Sequence, residues 1–189
     1  ETIHFLLFSD YDEANKKDSY FRDTFVVDWV GWKKVTFDLN SDTVQRAYNP
    51  RLENIRYVQL QAAGWNTSAV EGTVLNLDLL WLAKLDIGDN TGEEEDTSEE
   101  EGSYIVGDFD DTQVTATWSG LTPSQEYARS YRGAANSAAW LNHTQNKIIR
   151  SAEFTENKDW SGYDSINLWA FSKKATGETI HFCLYSTYS

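Results

Sequence analysis

The sequence predicts an all-β protein, an antiparallel sandwich of two sheets. Three observations carry the prediction. About ten short runs alternate apolar and polar residues with a period of two, with Gly, Pro, Asn and Asp between them, and no stretch sustains a long helical period. The 189 residues are enough for one β-sandwich with a sizeable core. The same strand also opens the chain and all but closes it. Glu1-Thr2-Ile3-His4-Phe5-Leu6-Leu7-Phe8-Ser9-Asp10-Tyr11 and Glu178-Thr179-Ile180-His181-Phe182-Cys183-Leu184-Tyr185-Ser186-Thr187-Tyr188 agree at eight of eleven positions, at an offset of 177.

Taken in order, the opening strand carries apolar groups on both faces, which implies cover on both sides. Asp10 to Asp18 reads as a loop, and Phe21 to Trp29 as the next strand. After a turn at Val30-Gly31, Trp32 to Leu39 alternates, with Lys33, Val35, Phe37 and Leu39 on one side. A polar loop from Asn40 to Glu53 contains Tyr48-Asn49-Pro50-Arg51. Ile55 to Ala63 follows, with Val58, Leu60 and Ala62 on one face and Tyr57, Gln59 and Gln61 on the other. Gly64-Trp65-Asn66 turns the chain into an apolar strand, Thr73 to Leu82, interrupted by Asn76 and Asp78. Past residue 103, strands are expected at Tyr104 to Val106, Gln113 to Trp118, Ser137 to Leu141, Lys147 to Phe154, Ser165 to Ser172 and Glu178 to Tyr185. Leu121 to Ala135 is polar, with room for one helical turn.

Charge is concentrated rather than spread. The net charge is −14, but residues 86–101 hold nine of the 30 acids and no base, leaving 21 acids against 16 bases elsewhere. Such a run repels itself and stays solvated, so residues 87–103 read as an acidic linker between 1–86 and 104–189. No basic stripe is present to displace counterions, which argues against nucleic acid as a partner. No apolar run approaches the length of a membrane span, so membrane insertion is not expected. The single Cys183 excludes an internal disulfide and reads as a buried apolar filler.

Placed second half first, four pieces of the chain resemble the galactose-binding-like jelly rolls, β-sandwich modules attached to bacterial polysaccharide lyases and glycoside hydrolases. In that order they are Gly107-Asp108-Phe109-Asp110; Asp159-Trp160-Ser161-Gly162-Tyr163-Asp164 with Ile166-Asn167-Leu168-Trp169; Val27-Asp28-Trp29-Val30-Gly31-Trp32-Lys33-Lys34-Val35-Thr36; and Thr73-Val74-Leu75-Asn76-Leu77-Asp78-Leu79-Leu80-Trp81-Leu82. The resemblance implies a single jelly-roll sandwich in circularly permuted order, built from 1–86 and 104–189. It implies a non-catalytic, extracellular module that binds polysaccharide. It also implies a structural Ca²⁺ where the first and last strands meet, held by Asp110 and Asp78 with Asp108 beside them. The acid that often follows Asp78 in that family is Leu79 here.

The residues themselves offer candidate sites of the same kinds. Sugar recognition wants an exposed flat aromatic for the apolar face of a pyranose, with amides or guanidiniums at the rim. Trp65 sits in a turn with no periodic pattern around it, and Tyr48, Arg46 and Arg51 lie on the neighbouring loop. Tyr57, Gln59 and Gln61 share one strand face, which is otherwise an ordinary solvated sheet surface. Ca²⁺ takes six to eight oxygens, which Asp78, Asp108 and Asp110 would begin to supply. His4 and His181, at equivalent strand positions, read as packed or hydrogen-bonded. No nucleophile, zincin or phosphate-loop motif is present, nor a convincing pair of facing carboxylates, so an enzyme is not expected.

The duplicated strand carries a second expectation. A sandwich has one family slot for it, so the other copy must add to a sheet edge. Pairing of residues 2–9 or 179–186 with identical subunits, head to tail, would build a secreted filament. An extra strand on the chain's own sheet is the plainer outcome.

Overall fold

The computed structural model describes residues 4–12, 17–84, 102–125, 136–141 and 148–186. The strands in chain order are β1 (His4–Asp12), β2 (Lys17–Val26), β3 (Gly31–Asp38), β4 (Gln45–Ala47), β5 (Ile55–Gln61), β6 (Val74–Ala83), β7 (Tyr104–Gly107), β8 (Thr122–Ser124), β9 (Ser137–Leu141), β10 (Ile148–Arg150), β11 (Ser165–Ser172) and β12 (Thr179–Ser186). The one α-helix among these residues is a single turn, α1 (Thr112–Ala116). The expected linker, apart from Gly102 and Ser103, lies outside the described residues, as do Glu1 to Ile3.

Two antiparallel sheets pack face to face. The first has the order β1-β2-β12-β5-β10; the second runs β3-β11-β6-β9-β8, with β7 also on β6. Each draws strands from both sides of the acidic run. The alternation read from the sequence puts Phe21, Phe25, Val58, Leu60, Ile180, Phe182 and Leu184 of the first sheet against Phe37, Leu75, Leu77, Leu80, Leu82, Ile166 and Leu168 of the second. Phe37 and Phe182 stack across the interface, 4.9 Å between centroids and 15° from parallel. Burying each such side chain stabilises the fold by about 1.5–3 kcal/mol.

Both copies of the repeated strand pair with β2, one on each side. Leu6, Leu7 and Phe8 lie opposite Arg22, Phe21 and Tyr20. Cys183, Leu184 and Tyr185 lie opposite the same three residues. The chain's own first sheet therefore takes up both copies. β12 is interior, between β2 and β5, whereas β1 ends the sheet.

One strand breaks the period-two rule. On β6 the core residues are Leu75 and Leu77, then Leu80 and Leu82. The ladder to β11 passes from Leu168↔Leu80 to Trp169↔Asp78, so Leu79 is an extra residue, with φ at 25°. This bulge moves Leu79 and Trp81 out of the main core, into a second cluster with Ala83 and Trp169.

Three local expectations are corrected. The strand expected at Gln113 to Trp118 is α1: the Asp111 carboxylate accepts from the Gln113 amide at 2.7 Å, an N-cap that starts a helical turn. The loop after Asp10 is shorter than expected, because β1 continues to Asp12 and β2 begins at Lys17. The expected strand around residue 150 is only three residues long.

Candidate functional site

Two side-chain constellations stand out. One is built on two left-handed turns. Gly64 and Thr67 exchange backbone hydrogen bonds of 3.1 and 2.8 Å, so Trp65 and Asn66 form the tip of a two-residue hairpin. Both tip residues have positive φ, 47° and 70°, the pattern of a type I′ turn. Asn tolerates that conformation, but a tryptophan there is strained by about 1 kcal/mol or more. Tyr48 and Asn49 repeat the arrangement with φ of 60° and 56°, and the Ser19 hydroxyl donates to the Tyr48 carbonyl at 2.5 Å.

These turns present Trp65 and Tyr48 to solvent, 39% and 41% exposed. Both meet the edge of Tyr20 on β2, at centroid distances of 6.5 and 6.2 Å. Beneath Trp65 lie the Arg22 guanidinium, 5.0 Å from the ring centroid, and the His181 ring at 5.2 Å. His181 is fully buried and shares a 2.6 Å hydrogen bond with the Thr67 hydroxyl, which ties the hairpin to β12. Arg22 donates from Nη2 to Gln45 on β4. Burial pushes the Arg22 pKa down, against the pull of Tyr20, Cys183 and Asp23.

The seven residues expected to contact sugar therefore divide. Trp65 and Tyr48 come together as an exposed aromatic surface. Tyr57 and Gln59 are only 4% and 3% exposed, which overturns the reading of their strand face as open to a ligand. That face is covered: Tyr57 packs with Cys183 and Tyr20, and Arg150 lies 4.7 Å over its ring. Gln59 donates to Gln61, which in turn donates to the Ala63 carbonyl. Arg46 donates to the Leu39 and Val44 carbonyls and so fastens its own loop. Arg51 lies 3.7 Å from the Glu53 carboxylate. Sequence reasoning missed Tyr20 and Arg22. The signal was present, since both stand on one face of a strand whose other face is Phe21 and Phe25.

The second constellation is acidic. Asp78 at the β6 bulge, and Asp108 and Asp110 in the turn after β7, each bring a carboxylate oxygen within 4.8 Å of the others. Asp78 is buried, and its Oδ1 accepts from the Leu79 amide at 2.9 Å. Asp110 accepts from the Asn136 amide at 3.0 Å and Asp108 from the Asp110 amide at 3.2 Å, so the turn is fixed from within. Desolvation raises the Asp110 pKa, the Asn136 hydrogen bond opposes it, and the neighbouring Asp108 adds to it. An all-oxygen set of hard donors converging in this way suits a hard divalent cation.

A cavity of about 320 Å³ opens between β2 and β3, lined by Asp23, Phe25, Trp29, Lys33 and Phe37 among others. Burial raises the Asp23 pKa to about 6, with the Arg22 charge pulling the other way.

Comparison with family models, curated proteins and solved structures returns no match for this chain. The fold is that of an all-β, two-sheet antiparallel sandwich. No helix among the described residues is long and apolar enough to cross a membrane.

Proposed function

We propose that this chain is a non-catalytic, extracellular carbohydrate-binding module. The observation that carries the reading is the paired exposure of Trp65 and Tyr48 on strained turns around Tyr20. Strain of this kind persists where the surroundings hold a side chain in a particular pose, and here the pose puts a flat ring in water. A pyranose stacks on such a ring, and the exposed Asn49 and Asn66, next in sequence to Tyr48 and Trp65, offer amides for its hydroxyls. Polysaccharide is the partner, and Ca²⁺ held by Asp78, Asp108 and Asp110 is a structural ion that ties the β6 bulge to the turn after β7. The test is affinity electrophoresis and a glycan array, with and without Ca²⁺, on the chain and on Trp65→Ala. Retardation by at least one polysaccharide, lost in the variant, is expected. Blank results in every condition, or release of reducing ends or unsaturated uronates by the pure protein, overturn the reading.

A second reading is a secreted filament subunit that assembles by strand complementation. It is supported by the pairing of two nearly identical strands with β2, which meet Arg22, Phe21 and Tyr20 at equivalent positions from its two sides. Deleting residues 1–10 and measuring mass in solution decides it. A parent that is a monodisperse monomer at high concentration, unchanged by the deletion, removes the filament.

A further inference from the structure

The aromatic surface covers a buried charge that forms no ion pair among the described residues. Arg22 is 6% exposed, and among the described residues no carboxylate forms an ion pair with it. Its Nη2 donates to Gln45, while Nε and Nη1 are buried without a hydrogen-bond partner among the described residues. The hydroxyl of Thr24, two residues along on the same face of β2, is likewise buried and unsatisfied. The nearest acid in sequence, Asp23, lines the cavity on the inner face, as strand alternation requires. A buried guanidinium is ordinarily paired, because leaving its donors unmade is costly. The cation–π contact with Trp65 compensates only in part.

We infer that Arg22 is the recognition group for an acidic sugar, whose carboxylate or sulfate oxygens accept from Nε and Nη1 when Trp65 turns aside. The inference rests on the carbohydrate-binding reading and names its substrate class. Among the described residues, Trp65 and Gln45, both exposed, contact the guanidinium. The ligand then supplies charge-assisted hydrogen bonds in a desolvated place, where they are strongest. The body's negative charge opposes polyanions at long range, so the selectivity belongs to this one buried cation.

The experiment is calorimetric titration of the full chain with short oligomers of galacturonate, of a sulfated galactose and of neutral galactose. Wild type should bind one of the acidic oligomers on the order of tenfold more tightly than the neutral one. The carboxylated and sulfated arms tell which group is taken. In Arg22→Gln the acidic-to-neutral ratio should fall to about one, and in Arg22→Lys only part of it should be lost. Wild type gives a second readout that needs no variant: the Arg22 Nε–H resonance should move when acidic oligomer is added and stay when neutral oligomer is added. Equal binding of acidic and neutral sugars by wild type, an unmoved Nε–H, or a ratio unchanged in Arg22→Gln overturns the assignment while leaving the aromatic platform standing. Failure of every sugar to bind overturns both.

Discussion

Leu7 and Leu184 lie opposite the same residue, Phe21, one on each side of β2. They are 177 positions apart in the chain and equivalent in the repeat. The two slots are not equivalent. Phe182 and Leu184 of β12 are wholly buried in the core, whereas β1 ends its sheet. Deleting residues 1–10 should therefore leave a folded chain that has lost a minor part of its stability. Deleting 178–189 should abolish folding. Urea unfolding with near-UV circular dichroism distinguishes the two, and an equally stable pair of truncations would contradict the assignment of slots.

Trp65→Ala should lower affinity for any bound polysaccharide on the order of tenfold or more, with little loss of stability because the ring is substantially exposed. Gly64→Ala should do the opposite and destabilise by about 1–3 kcal/mol. Its φ is +128°, and a Cβ there would meet the Gln61 amide nitrogen at 2.8 Å. Chemical denaturation of both variants separates surface chemistry from turn geometry.

Ca²⁺ should raise the midpoint of thermal unfolding, and Asp78→Asn should abolish that response. An ion at a hundred times its Kd stabilises by about 2.7 kcal/mol, which is visible in a scan. An Asp78→Asn chain that still responds to Ca²⁺ as wild type does would place the ion elsewhere.

Asp23 makes a prediction about pH. Its pKa is raised from 3.8 to about 6 in the folded chain by burial. A raised carboxyl pKa means that the folded state holds the proton more tightly than the unfolded state. Its contribution to stability is then fully present below pH 3.8 and is lost as pH rises through about 6. Asp23→Asn should accordingly be more stable than wild type at pH 7.5, with the difference vanishing near pH 3.5. Midpoints of urea unfolding across that range measure it, and a difference independent of pH would remove burial as the cause.

Much of the sheet architecture was legible because alternation is a local signal. Phe21, Phe25, Val58, Leu60, Ile166 and Leu168 fall on the core face that period two assigns to them. The β6 bulge was not legible. An extra residue at Leu79 leaves no mark in an apolar run that reads equally well in either phase. The α1 turn was missed because Thr112 to Trp118 alternates like a strand, while the deciding contact is one cap from Asp111. At the aromatic site, Trp65 and Tyr48 were visible as unpatterned aromatics before Asn. Tyr57 and Gln59 were misplaced because a two-faced strand does not reveal that side chains of neighbouring strands, Tyr20, Cys183 and Arg150, cover its second face. Arg22 could be placed on the outer face of β2 by alternation, but its buried, unsatisfied Nε and Nη1 emerge only in three dimensions.

The symmetry about β2 also bears on how the chain reaches its fold. β1 is close to β2 in sequence, so their pairing is expected to form faster than the long-range pairing of β12 with β2. The early arrival fits either edge of β2 in the same register, since β12 occupies the inner edge with the same residues opposite one another. A β1 that settles on the inner edge blocks the seam to β5 and acts as a decoy. The hairpin must then open before β12 can thread between β2 and β5. Refolding should split into a direct phase and a delayed one, and removing residues 1–10 should abolish the delay. The price of carrying a spare copy of an interior strand is a search in which the wrong answer looks right until the last strand arrives.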